Sequence, residues 1–167
     1  MKDYYVDYLY NMPTIILSTI INASPELVFD LSRSVDLHQV STAHTNEKVV
    51  AGRLTGLIEL GESVTWRAKH FGVFQELTSR ITTFDKPNSF TDEMVKGAFK
   101  SFQHVHQFEP AGNGTNMIDI FSYTSPLGIL GKLADYLFLK KYMEELLINR
   151  NSIIKKYAEN QNNKILP

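Results

Sequence analysis

The feature that most constrains the fold is a run of short β-rich segments that alternate with turn residues between Glu47 and Tyr123. This spacing is typical of an antiparallel sheet in which each strand pairs with the next one along the chain. Seven segments fit the pattern, the first two less regularly than the others: residues 47–51, 54–60, 63–71, 74–84, 90–96, 101–108 and 117–123. The breaks between them contain Gly, Pro, Asn or Asp, which favour turns.

Other elements are predicted on both sides of this run. A β-branched stretch at residues 14–21 predicts a further strand, and Ser24 followed by Pro25 predicts the N-cap and first residue of a short helix. A second short helix is predicted near residues 35–40. From about residue 130 to 157, apolar side chains recur at three- and four-residue steps, which predicts a long amphipathic helix. Its apolar face includes Leu139, Met143 and Leu146.

The long helix needs an apolar surface to cover, and the sheet provides one. We predict an α+β fold in which a curved seven-stranded antiparallel sheet wraps around the C-terminal helix, with two short helices after the first strand. One helix cannot fill the concave face of a strongly twisted sheet, so we expect an internal cavity between them. The chain is predicted to be a single domain, residues 1–167, with a core at about 14–158, an N-terminal extension at 1–12 and a polar tail at 159–167.

Composition and charge exclude several classes of function and of binding site. Seventeen basic and eighteen acidic residues give a net charge of -1, so we predict no binding to nucleic acid. The absence of cysteine excludes disulfides and thiolate metal sites. The longest apolar stretch, residues 127–139, contains Lys132 and Asp135 and is shorter than the roughly 20 residues that span a bilayer. The N-terminus lacks the pattern of a secretory signal. We therefore predict a cytoplasmic protein that does not insert into membranes, and its oligomeric state stays open.

Polar and apolar side chains share one face of the predicted sheet. Side chains alternate along a strand, so Phe102, His104, His106 and Phe108 point to the same side. The matching set on the next strand is Met117, Asp119, Phe121 and Tyr123. If the turn sets Phe108 opposite Met117, then His106 lies opposite Asp119. If the turn at Gly97 sets Met94 opposite Phe102, then Asp92 lies opposite His104.

This cluster has three interpretations. In the first, His104, His106, Asp92 and Asp119 anchor a ligand whose apolar walls include Met94, Phe102, Met117 and Phe121, and His106 with Asp119 is the candidate acid/base pair. In the second, the polar groups only satisfy one another across the sheet. The third is a metal site. The His-x-His spacing supplies two ligands, but a third well-spaced histidine or a thiolate is missing, and His70 is the only nearby candidate. We predict no metal and no cofactor.

Further candidates lie on other elements. Trp66 and His70 share a face of their strand, Arg80 is predicted to point outward, and His38 and His44 are predicted to be exposed loop residues. The ten Phe and eight Tyr residues favour a pocket for flat or greasy ligands. The full predicted ligand-binding set is Trp66, His70, Asp92, Met94, Phe102, His104, His106, Met117, Asp119, Phe121 and Met143.

Four motifs resemble a known superfamily. They are SPELVF at residues 24–29, VTWRAKHFG at 64–72, FQHVHQF at 102–108 and SPLGILG at 125–131. They are similar to the SRPBCC superfamily, the helix-grip group that includes START lipid-binding domains, polyketide cyclases and birch-pollen-allergen relatives, and within it to the bacterial single-domain ligand-binding branch. The resemblance covers roughly residues 14–158. It implies the helix-grip fold and a cavity for hydrophobic or amphipathic molecules, with chemistry in some branches only.

We therefore predict a protein that binds a lipid-, polyketide- or aromatic-like molecule between the sheet and the C-terminal helix. Two alternatives stay open. One is a cyclase or dehydratase that uses the His–Asp pair in the same cavity. The other is a protein-interaction module whose cavity is vestigial.

Overall fold

The structure is a computed structural model that describes residues 12–126 and 128–160. The predicted N-terminal extension and polar tail fall almost entirely outside these ranges. Within them, no helix is both long enough and apolar enough to cross a bilayer.

The sheet has seven strands, and every neighbouring pair is antiparallel. In chain order they are β1 (Thr14–Ile21), β2 (Lys48–Gly52), β3 (Ser63–His70), β4 (Val73–Asp85), β5 (Ser89–Lys96), β6 (Ser101–Ala111) and β7 (Gly114–Thr124). They lie side by side in the order β1-β7-β6-β5-β4-β3-β2. Strands β2 to β7 form a meander, and β1 closes against the last of them. The predicted fold class is confirmed.

One predicted strand, residues 54–60, is wrong. Its backbone does not join the sheet but hydrogen-bonds to the segment between the two short helices: Val35 N donates to Gly56 O, and Ile58 N donates to Arg33 O. Asp36 also accepts a hydrogen bond from the Gly56 amide at 2.7 Å. This segment therefore lies against the helix junction with Ile58 buried and Leu54 and Leu60 exposed, and periodicity alone cannot distinguish such a segment from a strand.

The two short helices lie where they were predicted. Helix α1 (Pro25–Ser32) begins after Ser24, whose hydroxyl accepts from the Leu27 amide. Helix α2 (Val35–Ser41) begins after Ser34 in the same way, and a short 3₁₀ turn (Ala43–Thr45) follows it.

The C-terminal helical region begins with α3 (Ile129–Ala134) and ends with α4 (Lys140–Glu159). A π-helical turn, Asp135–Leu139, joins the two. The helical region is therefore continuous over the predicted range, but this part of it is a π-helix rather than an α-helix. Residues 147, 150, 151, 154 and 158 form the buried stripe of α4, at helical spacing. Two of these five residues, Arg150 and Asn151, are polar.

The predicted strand register is confirmed at the cluster. His106 pairs with Asp119, and His104 pairs with Asp92 on one side and Phe121 on the other. The predicted turn at residues 110–114 is shorter than expected, because Pro110 and Ala111 stay paired with β7.

Gly52 ends β2 at a point where the backbones of β2 and β3 approach closely. Its φ is +80°, and an added Cβ would lie 2.1 Å from Ser63 O. Gly61 has nearly the same φ, +79°, but no atom of the residues that the structure describes lies within 4 Å of its Cβ position. Gly61→Ala is expected to lower the free energy of unfolding by about 1–2 kcal/mol through backbone strain alone. Gly52→Ala is expected to lose a further 1–3 kcal/mol or so through the clash. Urea denaturation of both variants checks this, and equal losses would contradict it.

Candidate functional site

A cavity of about 520 Å³ lies between the inner face of the sheet and the C-terminal helical region. Its wall is mostly apolar and includes Trp66, Ala68, Phe99, Phe102, Phe121 and Leu147. The strands supply these side chains because alternate residues of β3 and β6 point inward and are buried. The predicted cavity between sheet and helix is present.

A buried polar cluster forms part of this wall. Asp119 on β7 is at the centre of the cluster, behind the side chains that line the cavity. This carboxylate is fully buried. His104 Nε2 lies 2.9 Å from Asp119 Oδ1, and we assign the proton to this nitrogen as the donor. His106 Nδ1 lies 2.8 Å from the same oxygen but is not aligned for a hydrogen bond.

Helix α4 contributes the other partners of Asp119. Asn151 Nδ2 donates to Asp119 Oδ2 at 2.7 Å. Arg150 Nη1 lies 3.4 Å from Asp119 Oδ1, and Arg150 Nη2 donates to Ser32 O at 2.9 Å. The buried stripe of α4 therefore brings a cation and an amide to a carboxylate that would otherwise be buried with the imidazoles alone.

Asp92 on β5 faces the same two imidazoles from the opposite side. Its Oδ1 is 3.0 Å from His106 Nε2 and 3.9 Å from His104 Nδ1. The Asp92 side chain is 19% exposed, and it lines the cavity together with both histidines. The ring of Phe90 stacks on His106 with the centroids 4.2 Å apart, which fixes the plane of that imidazole.

The environment lowers the pKa values of three groups in this cluster, Asp119, Asp92 and His104. Burial raises the pKa of Asp119, but the hydrogen bond from His104 and the close approach of His106 outweigh it and hold that pKa well below the ordinary value. Burial also raises the pKa of Asp92, but the hydrogen bond from His106 and the charges of its neighbours outweigh it and lower that pKa. Burial, together with the neighbouring His106, lowers the pKa of His104 to about 4. At neutral pH the carboxylates are ionised and His104 is uncharged.

A second polar group lines the cavity near the start of α4. His38 Nε2 lies 3.1 Å from Glu47 Oε1, and the His38 ring lies on Trp66 with the centroids 4.1 Å apart. His70 Nδ1 lies 2.7 Å from the Tyr142 hydroxyl. We call His38, Glu47, His70 and Tyr142 the outer polar group, and Asp92, His104, His106, Asp119 and Arg150 the inner cluster.

The structure brings most of the predicted site residues to one cavity. Eight of them line it: Trp66, His70, Asp92, Phe102, His104, His106, Phe121 and Met143. Three do not. Met117 is fully buried in the core, where the Ser32 hydroxyl contacts its sulfur; Met94 packs, half-buried, against the cluster around Phe102 and Phe121; and Asp119 lies behind the imidazoles.

Several expectations about individual residues are settled by this placement. Arg80 is exposed and His44 is exposed, as predicted. The expectation that His38 is an exposed loop residue is wrong, because it lies on α2 and stacks against Trp66. The residue whose ligand atom lies beside those of His104 and His106 is a carboxylate, Asp92, and the three ligand atoms are all within 4.8 Å of one another.

Sequence reasoning missed four residues of the site. Arg150 and Asn151 lie on the buried stripe of the C-terminal helix. The available signal was a charged residue within the apolar repeat, since Arg150 comes four positions after Leu146 and four before Ile154. Glu47 and Tyr142 carry no comparable signal, since neither interrupts an apolar pattern.

The comparisons with known proteins agree with this architecture. Residues 12–159 match the family model described as "Polyketide cyclase / dehydrase and lipid transport". A search of curated protein sequences gave no significant match.

Solved structures share the fold at low sequence identity. TTHA0849 from Thermus thermophilus superposes with a TM-score of 0.66 at 19% identity, covering 85% of this chain and 97% of that one. Major latex-like protein 151 from Panax ginseng has a TM-score of 0.65 at 17% identity, with 87% and 96% covered. The di-domain ARO/CYC protein StfQ of the steffimycin biosynthetic pathway has a TM-score of 0.70 at 12% identity, with 93% and 54% covered.

These likenesses establish the fold, and the family model extends over nearly all of the described residues. The chain therefore belongs to the polyketide cyclase / dehydrase and lipid transport family, within the SRPBCC superfamily that its motifs resemble.

Proposed function

We propose that this protein binds a hydrophobic or amphipathic small molecule of the lipid, polyketide or aromatic type in the cavity between the sheet and the C-terminal helical region. The observation that carries the proposal is the cavity itself: about 520 Å³, with a mostly apolar wall. Small-molecule sites in proteins occupy roughly 300–1,000 Å³ and combine apolar walls with a few convergent polar groups. The inner cluster and the outer polar group are such polar groups.

The spacing of the two polar groups constrains the ligand. Tyr142 and Arg150 both line the cavity and are eight residues apart on α4, about 12 Å at 1.5 Å per residue. A molecule that contacts both groups has an apolar middle and hydrogen-bonding atoms separated by about this length. The apolar wall between them includes Met143, Leu146 and Leu147.

The test uses Trp66, the one tryptophan in the sequence, which lines the cavity. Native mass spectrometry of the freshly purified protein, followed by extraction, identifies any apolar adduct. Titration of the ligand-free protein with that molecule, or with 1-anilinonaphthalene-8-sulfonate, is expected to change Trp66 fluorescence in a saturable way. A clean unliganded mass together with an unchanged Trp66 spectrum would contradict the proposal and favour a protein-interaction module.

Filling the cavity is expected to weaken binding. Ala68 is buried in the cavity wall, so Ala68→Leu is expected to reduce probe affinity by at least about tenfold, or roughly 1.4 kcal/mol. Its effect on unfolding is expected to be small, because the added methyl groups enter space rather than packed atoms. Ala51→Leu is the matched control, since Ala51 is exposed on β2 and does not line the cavity. Equal affinities of the two variants would place the probe elsewhere.

The inner cluster favours a second candidate function, a cyclase or dehydratase. His106 is oriented between two carboxylates and lines the cavity, which is an arrangement suited to proton transfer. Asp119 would act through His106, because it does not reach the cavity. In the mass spectrometry experiment this candidate predicts that an added substrate is recovered with a changed mass, lighter by one water for a dehydration.

Localisation in the cytoplasm and the absence of nucleic-acid partners stay predictions.

A further inference from the structure

The two imidazoles of the inner cluster lie between two carboxylates. The nitrogens on one side, His104 Nε2 and His106 Nδ1, lie 2.9 and 2.8 Å from Asp119 Oδ1. Those on the other side, His104 Nδ1 and His106 Nε2, lie 3.9 and 3.0 Å from Asp92 Oδ1. A single oxygen atom thus faces two ring nitrogens on each side, with Asp92 on the side that lines the cavity.

The four contacts between ring nitrogens and carboxylates cannot all be hydrogen bonds, because two neutral imidazoles carry only two protons. A neutral imidazole carries one proton, so one of its two nitrogens presents a lone pair. The aligned hydrogen bonds use the proton of His104 toward Asp119 and that of His106 toward Asp92, so the lone pair of His106 Nδ1 faces Asp119 Oδ1 at 2.8 Å. This nitrogen has no aligned hydrogen-bond partner in the described ranges of the chain, although the side chain is 2% exposed. A cation among Asp92, His104 and His106 removes this conflict.

The distribution of charge around Asp92 also favours a bound cation. The inner cluster contains two carboxylates and one guanidinium, and that guanidinium is beside Asp119, 3.4 Å from its Oδ1. Among the described residues, Asp92 has only the two imidazoles within ion-pair distance. In the part of the chain that the structure describes, a guanidinium is therefore within ion-pair distance of Asp119, and none is within that distance of Asp92.

We propose that Asp92, His104 and His106 bind one divalent first-row transition-metal ion, with Asp119 as the carboxylate that orients both imidazoles from behind. The ligand atoms of the three residues lie within 4.8 Å of one another. Donors around one such ion are about 3–3.5 Å apart for bond lengths near 2.1 Å, so the observed 3.0 and 3.9 Å require only small side-chain shifts.

The surrounding residues match what metal sites require. A histidine ligand usually donates its second ring N–H to a carboxylate, and here Asp119, itself held by Asn151, accepts from His104 Nε2 and lies 2.8 Å from His106 Nδ1. Two histidines and one carboxylate leave coordination positions free on the cavity side, where an oxygen atom of a bound molecule could occupy them. The metal site does not depend on the proposed ligand, because it is built entirely from protein side chains.

The first test is equilibrium dialysis of the ligand-free wild-type protein against Zn²⁺, with metal measured by elemental analysis. One equivalent is expected to bind. Asp92→Asn and His106→Gln, which keep the side-chain size, are expected to lose this binding. Asp119→Asn is expected to weaken it by about 10–100-fold. His44→Ala is the matched control and is expected to keep full binding, because His44 is exposed and outside the cavity. His70→Ala changes the outer polar group instead, and loss of Zn²⁺ binding in this variant would overturn the proposal.

The second test needs no variant and therefore does not depend on how well the variants fold. The protein contains five histidines: His38, His44, His70, His104 and His106. In ¹⁵N-detected spectra of the wild-type side chains, added Zn²⁺ is expected to shift the ring nitrogens of His104 and His106 and to leave the other three unchanged. Co²⁺ is expected to give visible d–d absorption bands with the same stoichiometry. Absence of stoichiometric binding, or shifts confined to other histidines, would overturn the inference. Ligand binding without metal would leave the proposed function intact.

Discussion

Asp119→Ala is expected to lower the free energy of unfolding by about 3–5 kcal/mol, because it removes one partner of a buried charge pair. Asp119 is fully buried and accepts hydrogen bonds from Asn151 and His104. Without it, the buried Arg150 guanidinium retains the Ser32 carbonyl and a weak contact with Asn151 as its hydrogen-bonding partners. Urea denaturation in the presence of a chelator measures the loss on the metal-free protein.

Two further variants show whether the charge pair is the cause. Glu109→Ala removes an exposed carboxylate from the same hairpin and is expected to change the free energy of unfolding by less than about 0.5 kcal/mol. The double variant Asp119→Ala with Arg150→Met removes both charges, so its loss is expected to be smaller than the sum of the single losses by about 0.5–3 kcal/mol. Strict additivity would mean that Arg150 and Asp119 do not interact.

Phe29→Ala is expected to have an effect of similar size, about 3–5 kcal/mol, for a purely apolar reason. Phe29 on α1 is fully buried, and its ring meets those of Phe84, Phe90 and Phe108 edge-on at centroid distances of 5.2, 5.4 and 5.3 Å. The substitution leaves a void in the centre of this aromatic cluster. Thermal and urea unfolding both measure the loss.

The matched control is Phe74→Ala. Phe74 is 55% exposed on β4 and contacts the Arg67 guanidinium, so the expected loss is under about 1 kcal/mol. Similar losses for the two variants would show that burial of Phe29 is not what stabilises α1 on the sheet. Because Phe90 also stacks on His106, Phe29→Ala is further expected to disturb the inner cluster, and a reduced probe affinity would report this.

The family description covers both cyclases or dehydrases and lipid transport, so membership does not select between binding and catalysis. The cavity supports either, because both need an apolar container. The inner cluster is the part of this chain that can decide between them. A bound metal would polarise an oxygen atom of the ligand, whereas a metal-free cluster has only hydrogen bonds and proton transfer to offer.

Much of this protein was determined by local sequence pattern. The alternation of Phe102, His104, His106 and Phe108 placed both imidazoles on one face, and the two flanking turns predicted Asp119 and Asp92 as their neighbours. Helical periodicity predicted the extent of the C-terminal helical region, but the predicted apolar residues Leu139, Met143 and Leu146 are half-buried, and the buried stripe of α4 consists of residues 147, 150, 151, 154 and 158. Period and turn chemistry are properties of neighbouring residues, so they can be read before the chain folds.

The tertiary structure decided what those patterns could not express. Which imidazole bonds to which carboxylate depends on side-chain rotation, and the aligned hydrogen bonds run diagonally, from His104 to Asp119 and from His106 to Asp92, rather than straight across the ladder. Alternation showed that Met117 faces inward but not that it is packed in the core instead of the cavity. Arg150 reaches Asp119 only because α4 is docked at one rotation and height above β7. Docking is settled by how all the side chains of helix and sheet pack together, and that information is not carried by any single segment.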